Sequence, residues 1–529
     1  MSGLLASFVA GIVQHSEHFP VLVVVIPMVA APLCVIFGSN RLSYLAALAA
    51  TLFALVASLT LVVATTLPEG GQVLSYHVGG WAPPIGIEYR IDAANAFVAL
   101  TVALVGTIAL PYGWRSMRAE IERRHHGLFL AVYLLCLTGL LGVTVTGDAF
   151  NIFVFLEISS LATYTLVAMG AKRDKRALSA AYDYLILGTI GATFFVIGLG
   201  LLYMATGTLN LVDLAQRIAT MEDSRTVRSA FAFIVIGMGL KAAIFPLHRW
   251  LPGAYTFAPS MISVFLAGTS TKVALYVVAR FMFSVYTARE GFEQDTLEFL
   301  LLPLAILGMF AGSLVALFQT NLKRMLAYSS VAQIGYMVLG LALLNVSGLS
   351  SAFVHMFNHA ITKAALFMAA GCMILRVGSA NYGAMAGLGR RMPWTSAAIV
   401  LAGLSLIGVP TTAGFVSKWV LIQGALEKGW WPLAVAIVLS SVVAIAYMWR
   451  VVETLYLRPT PDGVEGTGTD EAPLLMLVPM WALVVAIFVF GIDAQWTLSV
   501  TQIAAEQLLG GQFGAGSEIV VGAPSRGGE

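Results

Sequence analysis

Residues 149–169 read AFNIFVFLEISSLATYTLVAM, an apolar run of 21 residues that contains one charged side chain, Glu157. A helix of this length rises about 30 Å, which matches the hydrocarbon thickness of a lipid bilayer. Of the 529 residues, 59% are hydrophobic and 11% are charged, whereas a soluble domain carries about 25% charged residues. The run therefore predicts a membrane-spanning helix, and the composition predicts that many others surround it.

Working outward from this run, the sequence predicts an all-α polytopic membrane protein with about fourteen transmembrane helices. The predicted spans are residues 20–38, 42–66, 93–112, 127–146, 149–169, 181–205, 229–247, 254–282, 299–319, 327–345, 350–376, 395–424, 431–449 and 473–491. An apolar stretch at 3–13 is too short to span, so we expect residues 1–19 to form an interfacial segment. Residues 67–92 carry Gly, Pro and alternating apolar positions, which favour a hairpin outside the bilayer.

The distribution of basic residues predicts the orientation. Loops after odd-numbered spans, with the adjoining span edges, hold 17 Lys and Arg residues, against 7 in the even-numbered counterparts. By the positive-inside rule the odd loops are cytoplasmic, and both termini of this multi-pass cell (inner) membrane protein are extracytoplasmic. We expect the tail, 492–529, to be disordered after about Gly510, where it is rich in Gly and Ser.

Composition also limits the partners and cofactors. The net charge is +2 and no soluble segment carries a basic cluster, so we expect the lipid bilayer to surround the chain and no nucleic acid to bind it. The three cysteines lie far apart in apolar runs, which predicts buried apolar residues rather than a disulfide framework or a metal site. No flavin, quinone or iron–sulfur motif is recognisable, so we expect no cofactor in this chain.

Prolines interrupt several spans beside lysines. Pro246 follows Lys241 in the seventh span, Pro259 precedes Lys272 in the eighth, and Pro410 precedes Lys418 in the twelfth. Such breaks are tolerated in a membrane where protein or water covers them, and matching breaks in two halves are typical of transporters built from repeats. We therefore predict a first repeat at 127–282 and a second at 299–449, with residues 20–112 peripheral and 473–491 as the last helix.

Charged residues inside the spans point to proton transfer. A charge in the bilayer is costly, so Glu157, Lys241, Lys272 and Lys418 must each be paired, neutral or wetted. Burial disfavours the charged form of a lysine and a nearby carboxylate favours it, so such a lysine can load and release a proton, which arginine does not. Structural ion pairs or structural lysines are the alternative. His248 and Asp183 lie near span ends and are weaker candidates.

Three polar residues recur at a helical spacing in the eleventh span. His355, His359 and Lys363 stand four residues apart, so they share one helix face over about 12 Å. Histidine titrates near physiological pH and suits a proton shuttle. Inert buried histidines are one alternative. A metal site is another, although no carboxylate or cysteine ligand stands nearby, and we therefore expect no metal.

Three motifs carry a family resemblance. They are FNIFVFLE at 150–157, KAAIFPLHRWLP at 241–252 and APSMISVFLAGTSTKV at 258–273. With them the chain resembles, over roughly residues 20–490, the antiporter-like subunits of respiratory complex I, membrane-bound hydrogenases and Mrp-type cation/proton antiporters. The resemblance implies two inverted five-helix repeats within a fourteen-helix fold, and broken helices seven and twelve.

The resemblance also assigns roles to residues. It implies that Glu157 and Lys241 act as a pair, Lys272 as a connector with the histidines of the eleventh span, and Lys418 as the terminal site. Tyr255, in place of a second histidine, and the lysine at 418 are most similar to the Mrp-type D subunit.

Three classes of function remain. The leading interpretation is a secondary-transporter subunit, not itself an enzyme, that conducts protons in exchange for Na⁺ among partners resembling Mrp-type A, B, C, E, F and G subunits. The second is a proton-pumping membrane-arm subunit of complex I (NADH:quinone oxidoreductase) or of a hydrogenase, without redox cofactors of its own. The third is a structural scaffold, which leaves the charged residues inside the spans unexplained, at about 2.5 kcal/mol or more each.

Overall fold

The computed structural model describes residues 17–38, 40–67, 72–221, 224–287, 291–460, 471–510 and 518–521. The predicted interfacial stretch at 3–13 lies outside them. Within the described ranges, helices dominate and three short strands form the only sheet. The protein is an all-α polytopic membrane protein, as its sequence predicts.

The helices follow the predicted spans closely. They are α1 (Phe19–Ile36), α2 (Asn40–Thr66), α3 (Ala93–Glu120), α4 (His126–Val145), α5 (Ala149–Ala168), α6 (Arg176–Thr206), α7 (Leu211–Thr220), α8 (Arg225–Lys241), α9 (Trp250–Phe257), α10 (Ser260–Gly268), α11 (Ser270–Ala279), α12 (Phe292–Asp295), α13 (Leu302–Leu317), α14 (Leu322–Ala342), α15 (Val346–Val377), α16 (Tyr382–Met385), α17 (Leu388–Arg391), α18 (Pro393–Ile407), α19 (Ala413–Glu427), α20 (Trp431–Val452), α21 (Leu474–Ile492) and α22 (Gln495–Leu509). Short π-helical stretches at Arg280–Val285, Thr296–Leu301 and Glu453–Leu457 extend α11, precede α13 and extend α20. In the described part of the chain, twelve helices are long and apolar enough to cross a membrane. They correspond to every predicted span except the seventh and the twelfth.

Those two spans are broken, as predicted. Residues 242–249 separate α8 from α9, and residues 408–412 separate α18 from α19. Each break contains a residue with a side chain at positive φ, Ala243 at 57° and Thr411 at 75°, and Gly408 adopts φ 91° where α18 ends. A positive φ is strained for residues other than glycine, so the surrounding packing must hold both breaks in place.

The long helix α15 forms the centre of the molecule. Every residue from 348 to 374 is buried, because α3, α10, α14, α18, α19, α21 and α22 pack around it. In contrast, α6 and α20 expose apolar side chains such as Ile190 and Val442, which suit lipid or a partner subunit. Polar groups on α15 are therefore screened from the bilayer on every side.

One tie between elements occurs twice, in corresponding places of the two predicted repeats. At the start of α5, residues 147–149 pair with 209–211 through two backbone hydrogen bonds of 2.8 and 2.9 Å. At the start of α14, residues 320–322 pair with 380–382 through two bonds of the same lengths. This likeness supports the repeats, which stay a prediction.

The three strands bring distant parts of the chain together. β1 (Val73–His77) pairs antiparallel with β2 (Glu88–Ile91), which confirms the predicted hairpin within 67–92. β3 (Glu518–Val521) lies parallel to β1 on its other side. The expected disorder therefore does not extend to 518–521, which pair with β1 as a strand. The rest of the tail after Gly510 lies outside the described residues.

Candidate functional site

The predicted pair meets where α8 ends beside α5. The Nζ atom of Lys241, the last residue of α8, lies 3.7 Å from Oε1 of Glu157 and donates a hydrogen bond of 2.6 Å to Oγ of Ser160. The lysine side chain is 5% exposed and the glutamate side chain 29%. The carboxylate therefore stands at the edge of the bundle, whereas the ammonium group lies inside it.

Aromatic side chains fix the end of α8. Trp250 donates a hydrogen bond of 2.9 Å to the carbonyl of Leu240 and stacks on Tyr184 with 3.9 Å between ring centroids. The hydroxyl of Tyr164 lies 3.5 Å from the ammonium group of Lys241 and occupies the space left open by Gly188. A Cβ atom at Gly188 would stand 2.0 Å from that hydroxyl, so any other residue there would force Tyr164 to move.

A small cavity lies beside Lys241 and extends to the start of α11. Its volume is about 20 Å³, and Lys241, Ser160 and Ser270 are among its lining residues. A single water needs about 10–15 Å³, so the cavity has room for one. The buried Oγ of Ser270 has no hydrogen-bond partner among the described residues and is available to bind it. Two residues further along α11, Lys272 donates a hydrogen bond to the carbonyl of Ala267 near the end of α10.

The histidine face predicted for the eleventh span is present on α15. The rings of His355 and His359 are nearly parallel, with centroids 6.0 Å apart. His355 contacts Oγ of Ser417 at 2.7 Å and Oε1 of Gln333 at 3.0 Å. In the described part of the protein neither ring nitrogen of His359 has a hydrogen-bond partner, although the residue is only 3% exposed. Unsatisfied buried nitrogens are unfavourable by about 1–3 kcal/mol each, so we expect water to bind them.

Lysines lie on both sides of the two histidines. The ammonium group of Lys363 donates to the carbonyl of Leu326 at 2.7 Å and to Oγ of Ser329 at 2.5 Å. Lys272, Lys363 and Lys418 all lie within electrostatic reach of His359. Among the described residues, no carboxylate oxygen lies within 4.0 Å of the ammonium nitrogen of any of these three lysines. The centre of the molecule is therefore rich in basic groups and poor in acids.

Lys418 ends the array at the second helix break. Its ammonium group donates to the carbonyls of Leu406 and Ile407 at 3.1 and 2.9 Å, and to Oγ of Ser441 at 3.0 Å. The ring of Tyr336 lies 4.7 Å away. The carbonyls belong to the last turn of α18, where the helix dipole places partial negative charge, so the break itself supplies the counter-charge for the lysine.

Polar side chains of α15 hold both halves of this broken helix. Asn358 donates a hydrogen bond of 2.7 Å to the carbonyl of Ala413, the first residue of α19. Thr362 lies 2.9 Å from Oγ of Ser405 in α18. The break is thus anchored to the same helix that carries the histidines.

Only one of the two histidines has its ring nitrogens occupied by side chains of the described residues. Both nitrogens of His355 already contact protein side chains, and they stand in hydrogen-bond geometry. Over the residues that the structure describes, no group of three or more His, Cys, Asp or Glu side chains is placed to hold a metal ion.

The weaker candidates lie apart from the array. Asp183 is exposed on the outer face of α6. His248 is half-buried in the first break, stacked on Phe245 at 5.4 Å and near Tyr328 at 6.4 Å.

Several polar contacts were not predicted from the sequence. Arg280 and Asp92 form a buried bidentate pair with distances of 2.6 and 2.9 Å, and their separation of 188 residues hides it from any local pattern. Gln333 and Ser417, which contact His355, are uncharged, and the prediction relied on charged residues inside apolar spans. Lys323 is buried at 3% exposure, although its position near a span edge suggested a loop residue.

Comparison with known proteins places the chain in a family. The model of the family described as NADH:quinone oxidoreductase/Mrp antiporter, transmembrane, matches residues 146–444. The chain is 41% identical over 497 residues to the N subunit of an NADH-quinone oxidoreductase from Desulforudis audaxviator, covering 92% of this chain and 97% of that protein. It is 29% identical to the D subunit of an Na(+)/H(+) antiporter from Bacillus subtilis, covering 93% and 97%.

A solved structure gives the same result. A chain of the Mrp complex from Dietzia sp. DQ12-45-1b superposes with a TM-score of 0.85 at 25% identity, covering 94% of this chain and 98% of that one. The family match spans more than half of the sequence. This chain therefore belongs to the family of NADH:quinone oxidoreductase/Mrp antiporter transmembrane subunits.

Proposed function

We propose that this chain is the proton-conducting subunit of a multisubunit Mrp-type antiporter, which exchanges protons for Na⁺ or a similar monovalent cation. The observation that carries the proposal is the buried array that runs from Glu157 through Lys241, Lys272 and the α15 histidines to Lys418. Each member is titratable, and hydroxyl groups or backbone carbonyls bind the ammonium groups. A scaffold has no need of such an array.

The contacts suggest how the array works. Glu157 provides access at the edge of the bundle, and its attraction holds a proton on Lys241. Lys272, Lys363 and Lys418 lie around the histidines, and no carboxylate of the described residues lies within 4.0 Å of them, so mutual repulsion limits how many carry charge together. A proton that arrives at one group therefore promotes release from the next. Neither ring nitrogen of His359 has a hydrogen-bond partner among the described residues, so this histidine is suited to pass the proton on.

The proposed orientation places the Lys- and Arg-rich loops in the cytoplasm and both termini outside. Partners resembling the other Mrp-type subunits would cover the exposed faces of α5 and α6, beside Glu157. Those partners would also contribute the cation pathway, because the array is made mainly of basic groups.

A proton-pumping subunit of a redox enzyme is the second candidate. The relative at 41% identity, which is named as a subunit of NADH-quinone oxidoreductase, favours it. The array would then move protons in response to redox chemistry in partner subunits instead of a cation gradient.

One experiment separates the two functions. The chain is purified with its natural partners and reconstituted into vesicles, and internal pH is followed after a Na⁺ gradient is applied or NADH and a quinone are added. Na⁺-driven pH change with Mrp-like partners supports the antiporter. NADH-driven pH change with redox partners supports the second candidate, and the absence of both refutes proton conduction.

A further inference from the structure

A polar cavity opens at the basic end of the molecule, away from the array. It has a volume of about 230 Å³, enough for several waters at about 10–15 Å³ each. Its lining includes Glu120, Arg173, Asp174, Arg176 and Lys323. These residues come from the end of α3, the α5–α6 loop and the starts of α6 and α14, which the charge distribution predicts to be cytoplasmic.

Lys323 forms the inner wall of this cavity. It is 3% exposed, and its ammonium group donates a hydrogen bond of 2.8 Å to the carbonyl of Ala258, at the end of α9. Within the described ranges no carboxylate lies within 4.0 Å of it, although Glu120 lies within electrostatic reach. A buried lysine that faces water on one side and lacks an ion pair is well placed to exchange protons.

Glu120 stands across the same helix break. One carboxylate oxygen accepts a hydrogen bond of 2.9 Å from the backbone N–H of Ser260, the first residue of α10, and the other accepts one of 2.7 Å from Ser116. Arg173 lies 3.8 Å away. The break around Pro259 thus places an acid at the N-terminal end of one helix and Lys323 at the C-terminal end of another, both favourable for the helix dipoles.

The outer rim of the cavity carries a pair that stays charged. Arg176 donates hydrogen bonds to Asp174, the shortest at 2.6 Å, and this contact lowers the pKa of the Asp174 carboxyl. The side chain of Arg176 is 73% exposed. The rim therefore stays hydrophilic and in contact with bulk water, whereas Glu120 and Lys323 lie deeper.

A polar line leads inward from Lys323 along α14. Ser330 lies seven residues further, on nearly the same helix face and about 10 Å along the axis. It donates a hydrogen bond of 3.0 Å to the carbonyl of Leu326. That same carbonyl accepts a hydrogen bond from Lys363, which belongs to the array. Along α14, Lys323 thus lies less than two helical turns from the groups that contact Lys363, and buried hydroxyl and carbonyl groups lie between the two lysines.

We infer that the cavity bounded by Glu120, Arg173 and Lys323 is a proton-uptake site, in which Lys323 accepts protons from cytoplasmic water and passes them along α14 to Lys363. Glu120 collects protons at the break, and Arg173 keeps it oriented. In each transfer one bond to the proton breaks and another forms, and no other bond changes. The inference rests on the proposed function, because an uptake site has a purpose only if the array conducts.

Substitutions at 323 test this role. Lys323→Met removes the titratable group, and Lys323→Arg keeps a positive charge for α9 but does not release its proton. We expect both to lower proton transport per assembled complex at least 10-fold in reconstituted vesicles. Arg324→Met, one residue further along α14 and exposed, is the matched control and should retain transport. An active Lys323→Arg would show that the lysine only caps α9, and equal effects of Lys323→Met and Arg324→Met would refute the uptake site.

Access to the cavity is tested by labelling. The three native cysteines are buried, so they are first replaced and Lys323→Cys is introduced. A membrane-impermeant thiol reagent should react in inverted vesicles and not in right-side-out vesicles. Reaction from the opposite face alone, or from neither face, overturns the inference.

Transport by the wild-type complex distinguishes a failure of the proposed function from a failure of the uptake site. If it moves no protons under either a Na⁺ gradient or NADH oxidation, the proposed function fails. If it moves protons and the Lys323→Met complex does so equally well, only the uptake site fails.

Discussion

The contact between Glu157 and Lys241 makes the sharpest prediction. At 3.7 Å two unit charges attract by about 4 kcal/mol at an effective dielectric constant of about 20, and by about 1 kcal/mol in bulk water. The glutamate side chain is 29% exposed and the lysine 5%, so the true value lies between these limits. A double-mutant cycle on complex stability with Glu157→Gln and Lys241→Met should therefore give a coupling of about 1–4 kcal/mol.

Transport should behave differently from stability. The double variant leaves no uncompensated charge, so it should assemble better than either single variant, because a buried ion pair is often exchangeable for neutral residues. Transport should nevertheless stay at least 100-fold below wild type in all three variants, since each of them lacks at least one of the two titratable groups. The measurement is pH change in reconstituted vesicles, normalised to complex recovered with its partner subunits.

A matched ion pair provides the control. Lys428 and Glu298 lie 3.0 Å apart with side chains 23% and 22% exposed, away from the array. The double change Glu298→Gln with Lys428→Met should alter transport by no more than about twofold. A Glu157→Gln, Lys241→Met complex that assembles and transports like this control would show that the pair is structural and would refute the relay.

Three further predictions follow from single positions. His359→Ala should lower transport at least 10-fold without loss of assembled protein, because neither ring nitrogen has a hydrogen-bond partner among the described residues. Asn358→Ala should mainly reduce assembly, because it removes the hydrogen bond to α19. Transport and the recovery of the complex are measured for both variants. Equal transport per assembled complex in these two variants would contradict a special role for the histidine. Gly188→Ala should displace Tyr164, whose hydroxyl would stand 2.0 Å from the new Cβ. The free energy of unfolding of the purified complex should therefore fall by roughly 1–3 kcal/mol. A reporter that is active only in the cytoplasm, fused after Glu529, should be silent, and strong activity would mean that the predicted orientation is inverted or a span is miscounted.

The sequence predicted the elements whose signals are local. Long apolar runs locate the spanning helices, and the prolines at 246 and 410 locate the two breaks, because a proline removes a helical hydrogen bond and favours a kink or an end there. The four-residue spacing of His355, His359 and Lys363 placed them on one face, and the structure shows that face at the centre of the molecule. Local rules suffice where the helix itself arranges the residues.

Contacts between distant segments were not predictable in the same way. The pair of Asp92 and Arg280 depends on the packing of α3 against the end of α11, which no spacing reveals. Lys323 was counted as a loop residue because a basic residue at the edge of an apolar run usually is one. The structure starts α14 at Leu322, five residues before the predicted span, and so places this lysine inside. The Asn321 side chain, which accepts from the backbone N–H of Arg324, was the available signal for that earlier start.

The pairing of β1 with β3 also constrains the path of the whole chain through the bilayer. Two strands can share hydrogen bonds only if both lie on the same side of the membrane. The chain between His77 and Glu518 must therefore cross the bilayer an even number of times, whatever the count of individual helices. The parity comes from backbone geometry, and the charges of the loops play no part in it. During synthesis the sheet is completed last, because one edge of β1 has no strand partner until the final crossing has been made and residues 518–521 have arrived.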